Sequence, residues 1–153
     1  MDPYFRPILI ASLVGILLNT FLTLPIVGFP ILSYMISGII AVLIFRNNAK
    51  KNFENYEVKL ADASILGIAT GVVVGSVLAL IMAINLQNPE LKQMIIDKIN
   101  EASRMQSQRE FSFIDSLNPS FYIIMGLITI FFTSAISFFG SIAILPFINK
   151  AKK

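Results

Sequence analysis

The chain reads as an all-α integral membrane protein, a bundle of four transmembrane helices with an amphipathic helical loop between the third and fourth. Three observations predict this. No charged residue lies between Arg6 and Arg46; Pro25, Gly28 and Pro30 interrupt that otherwise apolar stretch; and two more long apolar runs follow, Ala63 to Leu86 and Phe121 to Ile148. One helix over the uncharged stretch of about 39 residues would be roughly 58 Å long, about twice the hydrocarbon thickness of a bilayer, so the segment must fold back on itself. Composition agrees, with 56% hydrophobic and 14% charged residues in 153. A soluble domain with that balance has too little polar surface to cover itself.

The elements follow in order. Span one is expected over 7–24, with Pro7 in the first helical turn, where a missing N–H costs nothing. Arg6 ahead of an apolar run suggests a signal peptide, but the run exceeds a usual h-region, lacks a small-x-small cleavage site and leads into a second apolar segment. It is therefore read as an uncleaved span. Residues 25–30 form the turn, and span two covers 30–45; both spans are near the lower length limit for crossing. Asp62 is placed as the N-cap of span three, 63–86.

The loop 87–120 opens with Asn88, Pro89 and Glu90, a favourable helix start. Leu91, Met94, Ile95, Ile99 and Ala102 then recur at intervals of three and four, opposite Lys92, Asp97, Lys98 and Glu101, which is the pattern of an amphipathic helix. Phe111, Phe113, Ile114 and Leu117 make a second apolar patch before Asn118-Pro119-Ser120 leads into span four, 121–148. Two roles suit this loop: a hairpin lying on the membrane or capping the bundle, and a docking surface for a partner protein. In either, Leu91, Ile95, Ile99, Phe111 and Phe113 are the contact residues.

Charge sets the orientation. Arg6, Arg46, Lys50, Lys51, Lys59, Lys150, Lys152 and Lys153 all fall on one side of the predicted bundle. On the other side the first turn is uncharged, and the four basic residues of the long loop are outnumbered by Glu90, Asp97, Glu101, Glu110 and Asp115. The positive-inside rule then places both termini in the cytoplasm of a multi-pass protein of the cell inner membrane. In a bacterium the long loop would face the periplasm.

Helix packing is the strongest local signal. Span three carries small residues every fourth position: Ala63, Gly67, Gly71, Gly75, Ala79 and Ala83. Such a row shares one helix face and lets a neighbouring backbone approach closely, which is how helices associate where lipid supplies no hydrophobic drive. Weaker rows occur at Ala11, Gly15, Asn19 and Thr23, at Ser33, Ser37 and Ala41, and at Thr129, Thr133, Ser137 and Ser141. The rows are expected to face inward; the rival reading has the glycine face forming a homodimer. Asn19 is expected to bond to a Ser or Thr of a partner helix, the alternative being a polar pathway.

Several activities are disfavoured. With neither Cys nor His, the chain has no disulfide, no thiolate nucleophile and none of the commonest metal ligands, and no cofactor is expected. The net charge of +3 suits an anionic membrane surface better than nucleic acid. No ionisable group sits well inside a predicted span, against a proton-coupled carrier. Phosphate-loop, nucleophile-elbow and zinc motifs are missing from the sequence. The expectation is a non-enzymatic accessory, scaffold or assembly subunit, partnered by the bilayer and by a membrane protein or further copies of itself. The alternative is a small oligomeric channel or facilitator for a neutral solute or ion, with Asn19 and the hydroxyl rows lining the pore. A membrane-embedded enzyme, the third class, would require an activity traceable to a loop or interfacial residue.

The short basic loop, the Gly-rich third span, Asn88-Pro89-Glu90-Leu91, the charged amphipathic segment, and Asn118-Pro119-Ser120-Phe121 leading to Met125-Gly126-Leu127-Ile128 and a Lys-rich end form a recognisable order. In this the chain resembles an uncharacterised bacterial family of four-span membrane proteins, a domain of unknown function. That resemblance implies four spans and brings no activity, cofactor or site residue.

Overall fold

The computed structural model describes residues 3–21, 29–51, 56–85, 87–90, 93–94, 97 and 119–150. Within them the chain is all helical: α1 Phe5–Phe21, α2 Phe29–Lys50, α3 Leu60–Asn85, α4 Pro119–Ala143 and a terminal turn α5 Leu145–Lys150. Among the described residues, Ile31–Lys50, Leu60–Asn85 and Tyr122–Asn149 are long and apolar enough to cross a membrane, and Phe5–Thr20 is a shorter apolar helix.

Boundaries shift by about a turn from those read off the hydropathy. α2 runs past Phe45 to Lys50, taking Arg46 and two asparagines into its last turns, because a helix end that carries cations complements the helix dipole. α3 starts at Leu60, which moves Asp62 from the expected N-cap to the third helical position. Its carboxylate reaches back to accept the Lys59 amide at 3.2 Å, the acidic half of a capping box, while the Ala63 amide donates to Lys59 O at 3.1 Å. Span four is not one uninterrupted helix. Pro146 has no N–H to donate to the carbonyl four residues back, at Ile142, and its ring crowds that carbonyl, so α4 stops at Ala143 and a new turn, α5, begins at Leu145.

Side-chain pairs fix an up-and-down course. Tyr4 stacks on Phe45, Gly15 meets Ser37 and Asn19 meets Tyr34, so α1 and α2 are antiparallel. Gly67, Gly71 and Gly75 face Phe138, Ser134 and Ile130 in turn, so α3 and α4 are antiparallel too. α3 and α4 share the most extensive interface, α2 packs on α1, α3 and α4, and α1 lies against α2 and α3.

The interior has two textures. Near the end where Tyr4, Phe45, Val58 and Asn149 meet, the core is conventional, built from Val42, Phe45, Leu66 and Ile148. Through the middle, buried positions go to small or hydroxyl side chains: Ser33, Ser37, Thr70, Thr133, Ser137 and Ser141. The bulky apolar residues point outward instead, with Leu9, Leu13 and Leu17 on α1, Ile68, Val72 and Leu80 on α3, and Ile123, Leu127 and Phe131 on α4 each at least two-fifths exposed.

Candidate functional site

Polar and small groups converge at two places, the seam between α3 and α4 and the junction of helix ends around Asp62. Along the seam Gly67, Gly71 and Gly75 are all buried against α4. A methyl carbon added to Gly67 would lie 2.8 Å from Phe138 Cα, and one on Gly75 would lie 2.7 Å from Ile130 Cα. On Gly71 it would fall against Ser134 Cα and sit 2.6 Å from Thr133 O. These neighbours are backbone atoms and cannot swing away. Beyond Gly75 the helices diverge: Ala79 and Gly126 face each other at ordinary van der Waals distance, and with Met82, Tyr122 and Met125 they line a shallow recess.

The hydroxyl of Thr133 ties this seam. Its Oγ1 is 2.9 Å from Gly71 O on α3 and 2.8 and 3.0 Å from Thr129 O and Ile130 O on its own helix, and its one proton serves these three acceptors. Ser37, Thr129, Ser134 and Ser141 donate to carbonyls three or four residues back in their own helices. Ser137 is buried with no partner for its Oγ among the described residues. Gly15 sits where an added methyl would be 2.9 Å from Ser37 Cβ and 3.3 Å from Val74 Cγ2, so it joins α1 to both α2 and α3. Asn19 finds a tyrosine rather than the expected Ser or Thr: Tyr34 on α2 donates to its Oδ1 over a long 3.4 Å.

Two residues that rows of four did not single out prove equally crowded. A methyl on Gly38 would collide with the Ser137 carbonyl, and one on Gly140 with the Met35 backbone, so each glycine accommodates the other helix where α2 crosses α4. The signal was present as adjacency, since Gly38 follows Ser37 and Gly140 lies three after Ser137. Leu91, Ile95, Ile99, Phe111 and Phe113 lie outside the described residues. Of the loop that is described, Asn88 Oδ1 accepts the Glu90 amide at 3.0 Å, which is an N-cap bond, and Gln93 donates to Asp97 at 3.1 Å.

At the helix-end junction Asp62 is almost fully buried. Tyr4 donates to its Oδ1 at 2.7 Å and Tyr56 to its Oδ2 at 3.0 Å, alongside the Lys59 amide. Phe45 stacks on Tyr4 at 5.0 Å between centroids and meets Tyr56 edge-on at 5.9 Å. Asn149 Nδ2 donates to Val58 O at 3.1 Å, tying α5 to the same place. Burial, then the bond to Asp62 and its negative charge, raise the Tyr56 phenol above its ordinary value of 10.0. Tyr4 and Asp62 are 58 residues apart, so no local pattern announced this cluster.

No family model, curated protein or solved structure matches this chain. The site therefore has to be interpreted by its own chemistry. Among the described residues no group of three His, Cys, Asp or Glu side chains could hold a metal. What the seam and the junction do, on their geometry, is hold helices together.

Two outcomes follow from these distances. Gly71→Ala should cost about 1–3 kcal/mol of stability by overpacking, and Gly71→Leu more, whereas Gly126→Ala should be tolerated. Thermal unfolding in mild detergent measures this, and equal midpoints for all three would refute the close approach. The second concerns ionisation. Because the folded-state phenol of Tyr56 titrates above the unfolded value, its contribution is intact below pH 10 and is lost as pH rises through the folded value. Tyrosinate absorbance, taken as the difference from Tyr56→Phe, should show a midpoint above 10 that moves down towards it in Asp62→Asn.

Proposed function

We propose that this chain is a four-span inner-membrane protein with both termini in the cytoplasm, serving as a non-catalytic accessory or assembly subunit of a membrane complex. The observation that carries the reading is the use made of the polar groups at depth. Thr133, Asn19 and the glycine rows are engaged in joining helices, and α3 meets α4 backbone to backbone, so the bundle's interior works as a fastening rather than a passage. Its outward faces are left for lipid and neighbours.

Support for a fourth crossing comes from α1. At 17 residues it is about 25 Å long, the lower end of what spans hydrocarbon. Leu9, Leu13 and Leu17 nevertheless form an exposed stripe on it, as apolar as the outward faces of the longer helices, and it runs alongside α3 in the same bundle. The cations of Arg6, Arg46, Lys50 and Lys59 gather at one end, which the positive-inside rule assigns to the cytoplasm.

The absence of cysteine makes topology easy to measure, since any introduced thiol is the only one. In sealed inverted vesicles, cysteine at Asn48 should react with an impermeant maleimide and cysteine at Asn88 should not; labelling of both from one side would overturn the topology. Function is tested by crosslinking and native mass spectrometry after gentle extraction. A stoichiometric foreign membrane protein is the expected result. A pure homo-oligomer whose liposomes pass a solute would replace this reading with the oligomeric channel.

A further inference from the structure

The junction end of the bundle combines two surfaces that belong to one kind of ligand. Arg6, Lys50, Lys51 and Lys59 are exposed there, contributed by the start of α1, the end of α2 and the residue before α3. Arg46 is half-buried on the last turns of α2, with its Nε buried and lacking a hydrogen-bond partner. None of these five side chains makes an ion pair among the described residues. The described carboxylates nearby are Asp62, whose oxygens are occupied by Tyr4, Tyr56 and the Lys59 amide, and Glu57, which is exposed.

Beside the cations stand large apolar side chains facing out. Phe5 is 53% exposed, Leu60 60% and Phe147 74%, on α1, α3 and α5 at this same end. An exposed apolar collar next to unpaired cations matches an amphiphile with an acyl chain and a negative headgroup. Nucleic acid or an acidic peptide would satisfy the charges and leave the collar in water. Arginine adds geometry, because its planar fork meets two phosphate oxygens at once.

We propose that this end of the bundle binds the phosphate groups of anionic lipids, with Arg46 as the anchoring cation and Lys50 and Lys59 as flanking contacts. The proposal rests on the membrane-spanning reading above. Binding would bring together the ends of α1, α2 and α3 through one headgroup layer. It would thus act on the same junction that Asp62 holds from within.

The test uses the full chain in mixed micelles of phosphatidylglycerol and phosphatidylcholine, with lipid retention read by native mass spectrometry and stability by thermal unfolding. The unaltered protein should retain phosphatidylglycerol preferentially and gain unfolding temperature from it. Each of Arg46→Gln, Lys50→Gln and Lys59→Gln should weaken that retention about fivefold, the equivalent of about 1 kcal/mol per cation. Lys50 and Lys59 are exposed, so their variants remain informative where Arg46→Gln fails to fold. Equal retention of the two lipids, or retention unchanged in all three variants, overturns the proposal. So does equal stabilisation by inorganic phosphate at the same concentration, which would assign the site to a soluble anion. Alkaline extraction of the expressing membranes separates the two levels of argument: release of the protein defeats the membrane reading itself, whereas a retained protein indifferent to phosphatidylglycerol defeats only the lipid site.

Discussion

Everything in this bundle depends on how closely α3 and α4 approach. In hydrocarbon, two helices gain nothing by hiding apolar surface from water, because lipid tails already provide that environment. What remains is dispersion between surfaces in full contact and the few hydrogen bonds that span them. Dispersion falls off steeply with separation, so the useful contacts need backbones brought together, and only residues without bulk permit it. Gly67, Gly71 and Gly75 supply that on α3, opposite Phe138, Ser134 and Ile130. With α3 and α4 joined, α2 finds its own crossing through Gly38 and Gly140, and α1 closes onto α2 and α3 through Gly15.

The same constraint explains the reversed distribution of residue types. Through the middle of the bundle the interior holds serine and threonine while leucine, isoleucine and phenylalanine face out, the opposite of a water-soluble helical bundle. Hydroxyls are compatible with this because a helix offers them carbonyls one turn back, to which Ser37, Thr129, Thr133, Ser134 and Ser141 donate. Thr133 reaches a carbonyl of another helix as well, so it both satisfies itself and fastens the seam. Near the helix ends the texture changes to aromatic and aliphatic side chains around one carboxylate, where tyrosines supply an apolar ring and a polar tip together. Asp62 at that boundary is held by three donors from two parts of the chain, Tyr4 at the start of α1 and Tyr56 and Lys59 in the segment that leads into α3, and removing it would loosen both together.

These features point in one functional direction. Thr133 and Asn19 bond across helices, the small residues carry the close approaches, and the outer surface is apolar on every long helix, so charged groups are concentrated at the ends. One end carries cations without an ion pair among the described residues beside an apolar collar; the other carries Asn88 and Glu90. On the proposed reading, the cationic end meets lipid headgroups and the opposite end is left for a neighbour.

From sequence alone came the helical class, the apolar runs that the three long helices occupy and the helical start at Asn88, because each rests on local physics: the length of an apolar run, the cost of an unsatisfied backbone in lipid, a side chain that caps its own turn. Charge distribution along the chain was equally legible, since counting needs no coordinates. Tertiary structure alone decided which face each small-residue row meets, and that Gly38 and Gly140 matter as much as the rows of four. It also decided that Asn19 bonds to Tyr34 and that Asp62 serves as a junction for residues up to 58 positions away instead of a simple cap. The physical reason is that spacing along a helix defines which residues share a face, whereas the partner of that face depends on how helices distant in sequence dock, and their rotation about their axes is settled only when all of them pack at once.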